Sequence, residues 1–330
     1  MVNVAINGFG RIGRLVLRAG LKDKTLNFVA VNDLGNLDTM AHLFKYDSVH
    51  GKYNGTVEAK DGNLIIDGKK IRFCSERDPS KLPWKELNVD IAVESTGIFT
   101  NEEGLKMHLT AGAKKVVLSA PAKDGAPVTT VVMGVNDKDI VGKTFVSNAS
   151  CTTNSLAPIL KILESKWGIE KGYMTTVHAY TNDQQILDLP HKDLRRARAA
   201  AINIIPTTTG AAKAVCLVIP SLKGKMDGIS IRVPVPDGSY TDINVLLKKE
   251  VSAEEINKAI KEASQKEMKG IIEYSEEELV SSDIVGNPAS SIFDSKQTKV
   301  NGNLVKIGTW YDNEWGFSNR MIDVLKLMSK

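Results

Sequence analysis

Cysteine is scarce in this chain: Cys74, Cys151 and Cys216 are the three in 330 residues. No Cys-x-x-Cys pair occurs among them. A disulfide scaffold, a zinc knuckle and a redox pair are therefore not expected, and neither is a metal site. The odd, sparse count predicts a reduced, cytoplasmic protein. Long apolar runs are also missing. Nothing approaches the roughly 18 residues of a membrane span. The chain opens directly into Val2-Asn3-Val4-Ala5-Ile6, without a basic segment and a cleavable apolar stretch. No membrane partner is expected. Repeats, low-complexity tracts and Pro/Ser-rich linkers are absent. Charge of one sign is not concentrated: 43 basic and 39 acidic residues leave a net charge of +4. The densest basic cluster, Arg195, Arg196 and Arg198, is short. Nucleic-acid proteins usually gather such residues into a stripe, so nucleic acid is not expected as the main partner. A mildly basic enzyme acting on anions fits this balance.

What is present is ordinary globular material, 42% hydrophobic and 25% charged, which argues against disorder. The length suits two domains. Val2–Ile6 is apolar and β-branched, as a buried parallel strand should be. Asn7-Gly8-Phe9-Gly10-Arg11-Ile12-Gly13 follows, and then a stretch with helical spacing of apolar residues. Gly8, Gly10 and Gly13 thus form G-x-G-x-x-G between a strand and a helix. In that setting Gly8 permits the tight turn, Gly10 lets the backbone approach a pyrophosphate, and Gly13 lets helix and strand pack closely. The anion would rest on the positive end of the helix. A second strand candidate, Phe28–Val31, ends at Asn32-Asp33, and Asp33 lies 20 residues past Gly13. An acid at this distance binds ribose hydroxyls. The plain alternative for Asp33 is a turn or cap residue. A carboxylate there repels a 2′-phosphate, so NAD is expected rather than NADP.

The remainder of this half alternates as a doubly wound sheet should. Strands are expected at Ile91–Val93, Lys115–Leu118, Thr129–Met133 and Thr144–Val146, with a helix over Glu102–Ala111. Val57–Phe73, with its Asp61-Gly62 and Asp67-Gly68 turns, predicts a small antiparallel excursion. Thr96 and Ser119 follow strand ends, where ligands of such sheets lie. Strand-end capping explains them equally well.

Ser147-Asn148-Ala149-Ser150-Cys151-Thr152-Thr153-Asn154 is rich in helix-capping residues and precedes a helical pattern. Cys151 therefore falls at or near a helix start, where amides and dipole favour a thiolate. Ser150 and Thr152 would help form an anion nest there. Most free cysteines are inert packing residues. Cys74 and Cys216 sit in apolar patterns and suit that reading, whereas the neighbours of Cys151 are small and polar. A thiolate needs a base. Of the five histidines, His42, His50 and His108 lie in helices or loops of the first half and His191 in a charged loop. His178 ends the apparent strand Tyr173–Ala179, where an imidazole can be held fixed.

Asn7–Gly13, Ser147–Asn154 and Trp310-Tyr311-Asp312-Asn313-Glu314-Trp315-Gly316 closely resemble the family of phosphorylating glyceraldehyde-3-phosphate dehydrogenases, and the resemblance runs the length of the chain. It implies an NAD-dependent enzyme of glycolysis and gluconeogenesis that converts glyceraldehyde 3-phosphate and inorganic phosphate to an acyl phosphate through a Cys151 thioester, with His178 as base. It places cofactor contacts at Arg11, Ile12, Asp33, Arg77, Ser119 and Asn313. Ser150, Thr152, Thr209 and Gly210 match the site for inorganic phosphate. Thr181 and Arg232 match the site for the substrate phosphate. Arg195 matches an arginine reaching these anions, with Arg196 and Arg198 close by. Leu189-Pro190 resembles a dipeptide that accompanies NAD preference. Phe317 departs from the Tyr of many members, keeping the ring and losing the hydroxyl. A homotetramer is also implied.

Thr207–Ala212 opens another helix and so supplies a second anion-binding terminus. Alternation puts Arg232 on the polar face of a strand. The expected fold is α/β: a Rossmann-type doubly wound parallel sheet in residues 1–150, and an α+β catalytic domain with a largely antiparallel sheet in residues 151–312. Strands of the latter are expected at Ile229–Val235, Thr241–Leu247 and Leu304–Tyr311. The segment 313–330 contains the final helix, Ser318–Met328, which by resemblance packs back on the first domain. The alternatives are an erythrose-4-phosphate dehydrogenase, and a nucleic-acid-binding or scaffold role with the enzyme fold retained.

Overall fold

A computed structural model of the chain describes every residue except Asp124. The chain divides into two compact units. Residues 1–131, 137–149 and 318–330 form the first, and residues 132–136 and 150–317 form the second.

In the first unit, β1 (Val2–Asn7) leads into α1 (Arg11–Gly20), β2 (Leu26–Asn32) and α2 (Leu37–Lys45). Val4, Ala5 and Ile6 are wholly buried, as the apolar run of a central parallel strand should be. Three short strands follow: β3 (Val57–Lys60), β4 (Asn63–Ile66) and β5 (Lys69–Cys74). They turn at Asp61-Gly62 and Asp67-Gly68, all four residues having positive φ. Two-residue hairpin turns of the primed type demand that conformation, and Asp-Gly supplies it. The chain continues through β6 (Ile91–Glu94), α3 (Glu102–Thr110), β7 (Lys115–Leu118), β8 (Thr129–Thr130) and β9 (Phe145–Ser147).

The nine strands order as β3-β4-β5-β2-β1-β6-β7-β9-β8. The hairpin strands pair antiparallel, and every neighbour from β5 to β8 is parallel. The order runs outward from β1 in both directions. Such a switch point opens a crevice beyond the carboxyl ends of β1 and β6. The strand expected over Thr129–Met133 stops at Thr130. Asn136 Oδ1 accepts the Val132 N–H at 2.9 Å and Val135 N–H bonds back to Val132, so a local turn takes the place of a ladder.

The second unit begins with α4 (Cys151–Lys166) and β10 (Ile169–Ala179), then β11 (Ile205–Thr208), α5 (Ala211–Val218), β12 (Met226–Val233) and β13 (Ser239–Leu247). It ends with α6 (Ala253–Gln265), β14 (Ile272–Ser275), α7 (Ser281–Ile284), β15 (Ser291–Asn301), β16 (Leu304–Tyr311) and the start of α8 (Trp315–Met328). Its seven strands order as β11-β12-β10-β13-β16-β15-β14. Pairing is mainly antiparallel, with β10/β12 and β14/β15 parallel. α8 starts three residues earlier than its apolar pattern suggests, because Asp312 Oδ1 accepts the N–H groups of Glu314 and Trp315 at 2.9 and 2.6 Å. From Ser318 onward α8 belongs to the first unit, where Lys326 pairs with Asp23 at 3.2 Å. Among the described residues no helix is long and apolar enough to cross a membrane.

Candidate active site

Cys151 is the first residue of α4, and Ser150 is its N-cap in extended conformation, accepting the Thr153 N–H on its hydroxyl at 3.1 Å. Ala149, wholly buried, carries a φ of 55°. A left-handed alanine costs about 1–2 kcal/mol, and here it redirects the chain from β9 into the helix. The Cys151 sulfur lies 3.5 Å from His178 Nε2. The residue is half-buried. Burial pushes the thiol up, against the opposing pull of Arg232 and Thr152. That reverses the expectation drawn from the helix start alone.

His178 is nearly fully buried at the end of β10. Its Nδ1 lies 2.7 Å from the carbonyl of Ala179. That carbonyl asks for a hydrogen on Nδ1, whereas Arg232 Nη1, 3.0 Å from the same nitrogen, asks for a lone pair there. The tautomer with the hydrogen on Nδ1 is the one that turns the Nε2 lone pair to Cys151. Burial, and then the Arg232 guanidinium, push the imidazole down to about 3. A neutral imidazole facing a thiol is the protonation state that a general base requires. In the parallel register of β10 and β12, Arg232 lies directly beside His178. Arg232 Nη1 sits 3.0 Å from His178 Nδ1 and donates to the Ala179 carbonyl at 3.1 Å and to Thr181 Oγ1 at 2.9 Å. Its Nε is buried without a partner, a donor left over for an anion.

The arginine beside this group is Arg196, not Arg195. Arg196 pairs with Asp183, which accepts from the Thr181 hydroxyl, and its Nε donates to Thr207 Oγ1 at 2.9 Å. Arg195 is exposed and reaches only as far as the Pro206 carbonyl, at 3.4 Å. Arg198 pairs with Asp188 at 2.9 Å. Thr209 and Gly210 precede α5, with Gly210 at the N-cap and Thr209 Oγ1 accepting the Ala211 N–H at 3.2 Å. The Thr152 hydroxyl is turned inward, 2.9 Å from the Tyr311 hydroxyl, which also meets Thr176 Oγ1 at 2.8 Å. Tyr311 presents its ring edge-on to His178, centroids 5.9 Å apart. Tyr311 lies within the Trp310–Gly316 motif, which by itself assigns it no role, and no spacing or motif points to Asp183. Asn313 lies in this unit, its Oδ1 accepting the Ser239 hydroxyl at 2.7 Å. Ser239 in turn accepts the Ala179 N–H at 3.1 Å.

The other cofactor candidates are in the first unit. Gly8 has φ of 93°, and a Cβ on it would stand 2.6 Å from the backbone of Ser95 and Thr96. A Cβ on Gly13 would stand 2.1 Å from the Gly8 carbonyl oxygen. Gly10 differs, for a Cβ there meets nothing within 4 Å. It caps α1 without a side-chain hydrogen bond. Nothing in the fold itself thus demands glycine at position 10, and the open space beside a bare helix N-terminus suits a pyrophosphate. Gly10→Ala is therefore expected to fold like the parent and to bind NAD more weakly. Gly13→Ala should lose about 1–3 kcal/mol of stability or more. Thermal melts and NAD titrations of the two variants test this; a Gly10→Ala protein with parental affinity would remove that residue from the site.

Asp33 follows β2, and its Oδ2 accepts the Phe9 N–H at 2.8 Å while Oδ1 accepts that of Gly35 at 2.9 Å. The acid is thus tied to the glycine turn. Arg11, at the start of α1, is clamped by Asp47 at 2.5 Å. Ile12 follows it in the first turn. Thr96 and Ser119 stand at the ends of β6 and β7, where the Ser119 N–H bonds to the Glu94 carbonyl. Arg77 is exposed beyond β5.

A doubly wound unit with a glycine turn, together with a unit holding a thiol–imidazole pair beside a guanidinium, defines a nucleotide-binding α/β protein with a cysteine–histidine centre. Residues 2–102 match the family domain described as glyceraldehyde 3-phosphate dehydrogenase, NAD binding domain, and residues 150–313 match the corresponding C-terminal domain. The glyceraldehyde-3-phosphate dehydrogenase of Thermotoga maritima is 59% identical over 334 residues, covering 100% of both chains. Those of Geobacillus stearothermophilus and Streptomyces coelicolor are each 57% identical, over 98% of this chain and 97% of theirs. The chain belongs to the glyceraldehyde-3-phosphate dehydrogenase family.

Proposed function

We propose that this chain oxidises and phosphorylates glyceraldehyde 3-phosphate with NAD and inorganic phosphate, using Cys151 as nucleophile and His178 as base. The observation that carries this reading is the 3.5 Å approach of Cys151 Sγ to Nε2 of a buried, neutral His178. The Cys151 sulfur adds to the aldehyde carbon, and His178 Nε2 relays the thiol proton to the carbonyl oxygen. The same nitrogen, neutral again, takes the hydroxyl proton of the hemithioacetal as hydride leaves the carbon. NAD, when bound, supplies the acceptor for that hydride. Phosphate then attacks the thioester; the carbon–sulfur bond breaks and His178 returns its proton to Cys151. The acyl phosphate keeps the oxidation energy only if phosphate outcompetes water, so two anions must be held. Arg232, with its spare Nε, Thr181 and Arg196 suit the substrate phosphate; Thr209 and Gly210 at the start of α5 suit the attacking one, together with the α4 terminus at Ser150 and Thr152. NADH formation from glyceraldehyde 3-phosphate, measured with and without phosphate, tests the reading. Turnover that does not depend on phosphate would overturn it. Four-carbon aldehyde turnover in the same assay sets the substrate range.

Arg196→Ala is expected to raise the KM for the phosphorylated aldehyde, and Arg195→Ala to leave it near the parental value. The reverse order would return Arg195 to the anion site.

Cofactor choice follows from Asp33. Its carboxylate faces the place where NADP carries an extra phosphate, and Leu34-Gly35-Asn36 offers no cation. A preference for NAD of roughly tenfold or more in kcat/KM is expected, needing only about 1.4 kcal/mol of differential binding. Asp33→Ala should narrow it. Equal use of both cofactors by the unmodified enzyme would show that Asp33 points elsewhere.

The family assembly, a homotetramer, is the proposed state in solution, and the cytoplasm the proposed location. Ile186, Leu187, Leu194, Ile202 and Ile204 are strongly exposed within one segment, apolar surface that a second copy of the chain would cover. Light scattering after gel filtration decides: a monomer at micromolar concentration would overturn the assembly.

A further inference from the structure

A buried line of polar side chains that the mechanism does not use crosses the carboxyl edge of the first unit's sheet. Trp84 Nε1–H donates to His108 Nδ1 at 3.1 Å, and His108 Nε2 lies 2.9 Å from Glu94 Oε2. Asn7 Nδ2 donates to the same oxygen at 2.7 Å. Glu94 Oε1 accepts the N–H and the hydroxyl of Thr96, at 2.8 and 2.5 Å. Asn7 Oδ1 accepts from Asn32 Nδ2 at 2.7 Å. Asn32 is held in turn by the backbone of Glu76, donating to its carbonyl and accepting its N–H, both at 2.8 Å. Trp84, Glu94 and His108 are wholly buried, and Asn7 and Asn32 nearly so.

Hydrogen-bond roles along this line are forced. An indole N–H can only donate, so His108 Nδ1 is bare and Nε2 carries the hydrogen, pointing at Glu94. The carboxylate form of Glu94 then satisfies four donors at once. Burying a charge adds little to stability compared with apolar packing. Its effect here is orientation: it fixes which way both asparagine amides face, and it pins Thr96.

The members of the line share a position. Asn7 immediately precedes Gly8, Asn32 precedes Asp33, Glu76 precedes Arg77, and Glu94 lies two residues before Thr96. These are four segments from separate parts of the chain, and each continues directly into a candidate dinucleotide contact. Ser95, between Glu94 and Thr96, adds a hydroxyl bond to the Gly8 carbonyl at 2.6 Å. We propose that Glu94, locked in place by His108 and Trp84, is a positioning residue for the dinucleotide, presetting the glycine turn, Asp33, Arg77 and Thr96 before the cofactor arrives. Ordering in advance removes a cost from binding. This rests on the reading of the first unit as the NAD site.

Glu94→Gln in the full chain is the test. The amide keeps the volume but places an N–H₂ against donors from Asn7, His108 or Thr96. The KM for NAD is expected to rise by about tenfold or more, as loss of one hydrogen bond to a buried charge implies. The kcat at saturating NAD and the KM for the aldehyde should stay near parental values. A folded variant with unchanged KM for NAD overturns the proposal, and so does one in which kcat and both KM values deteriorate together, as general loosening would produce. If Glu94→Gln does not fold, ¹⁵N spectra of His108 in the unmodified enzyme decide: a bare Nδ1 and a protonated Nε2 support the lock, and a protonated Nδ1 overturns it. If the unmodified chain itself binds no NAD, the reading of the unit fails, and the positioning role with it. NAD binding by both forms with equal affinity defeats the positioning role alone.

Discussion

Cys151→Ser is expected to lose dehydrogenase activity on the order of 10⁴-fold or more, the scale on which removal of a covalent nucleophile acts. A serine hydroxyl at the start of α4 faces the same His178 Nε2, but it is a far weaker nucleophile at neutral pH than a thiol that can pass its proton across 3.5 Å. The fold should be untouched, since Ser150 and not residue 151 supplies the helix cap. Alkylation gives the complementary test. One equivalent of iodoacetamide should label Cys151 and end activity together. Burial raises the thiols of Cys74 and Cys216 as well. Cys216 donates its S–H to the carbonyls of Ala212 and Leu222, at 3.5 and 3.4 Å. If Cys216 were labelled first with activity retained, or if Cys151→Ser kept substantial turnover, the nucleophile would have to be sought elsewhere.

Much of this was legible in the sequence where the chemistry is local. The glycine turn could be read because Gly8 and Gly13 answer to backbone geometry within a few residues, and the placement of Cys151 because Ser150 caps the helix it begins. His178 could be located at the end of an apparent strand, and the cysteine context is what singles it out. What escaped depends on depth or on contacts between distant segments. The acidity of Cys151 is expected to follow the helix start, whereas burial pushes the thiol the other way. Arg195 and Arg196 are neighbours in an irregular loop, where no period says which guanidinium turns toward Asp183. Tyr311 meets Thr152 and Thr176 across long stretches of chain, and Glu94 meets His108 and Trp84 in the same way. Pairings of that kind leave no spacing to read.

His178→Asn should lower turnover by roughly 10²–10⁴-fold, the usual worth of a positioned general base. NAD affinity should stay near the parental value, because the candidate cofactor contacts of the first unit do not include this residue. A second readout separates a base from a packed strand-end histidine. Burial disfavours a lone thiolate at Cys151 and a lone imidazolium at His178, raising the first group and lowering the second to about 3. The charged arrangement that the site can form most readily is therefore the two together, sulfur and Nε2 in contact, titrating as a pair. Asparagine cannot take the proton. In the variant the thiolate would have to form with only Arg232, Thr152 and the helix start to support it. The pH dependence of Cys151 alkylation should accordingly move to higher pH, since only the thiolate reacts. Turnover and the alkylation profile should shift in the same variant. Near-parental turnover, or a profile that stays in place or moves to lower pH, would mean that the imidazole does not handle the thiol proton, and His178 would be left with a packing role against Tyr311.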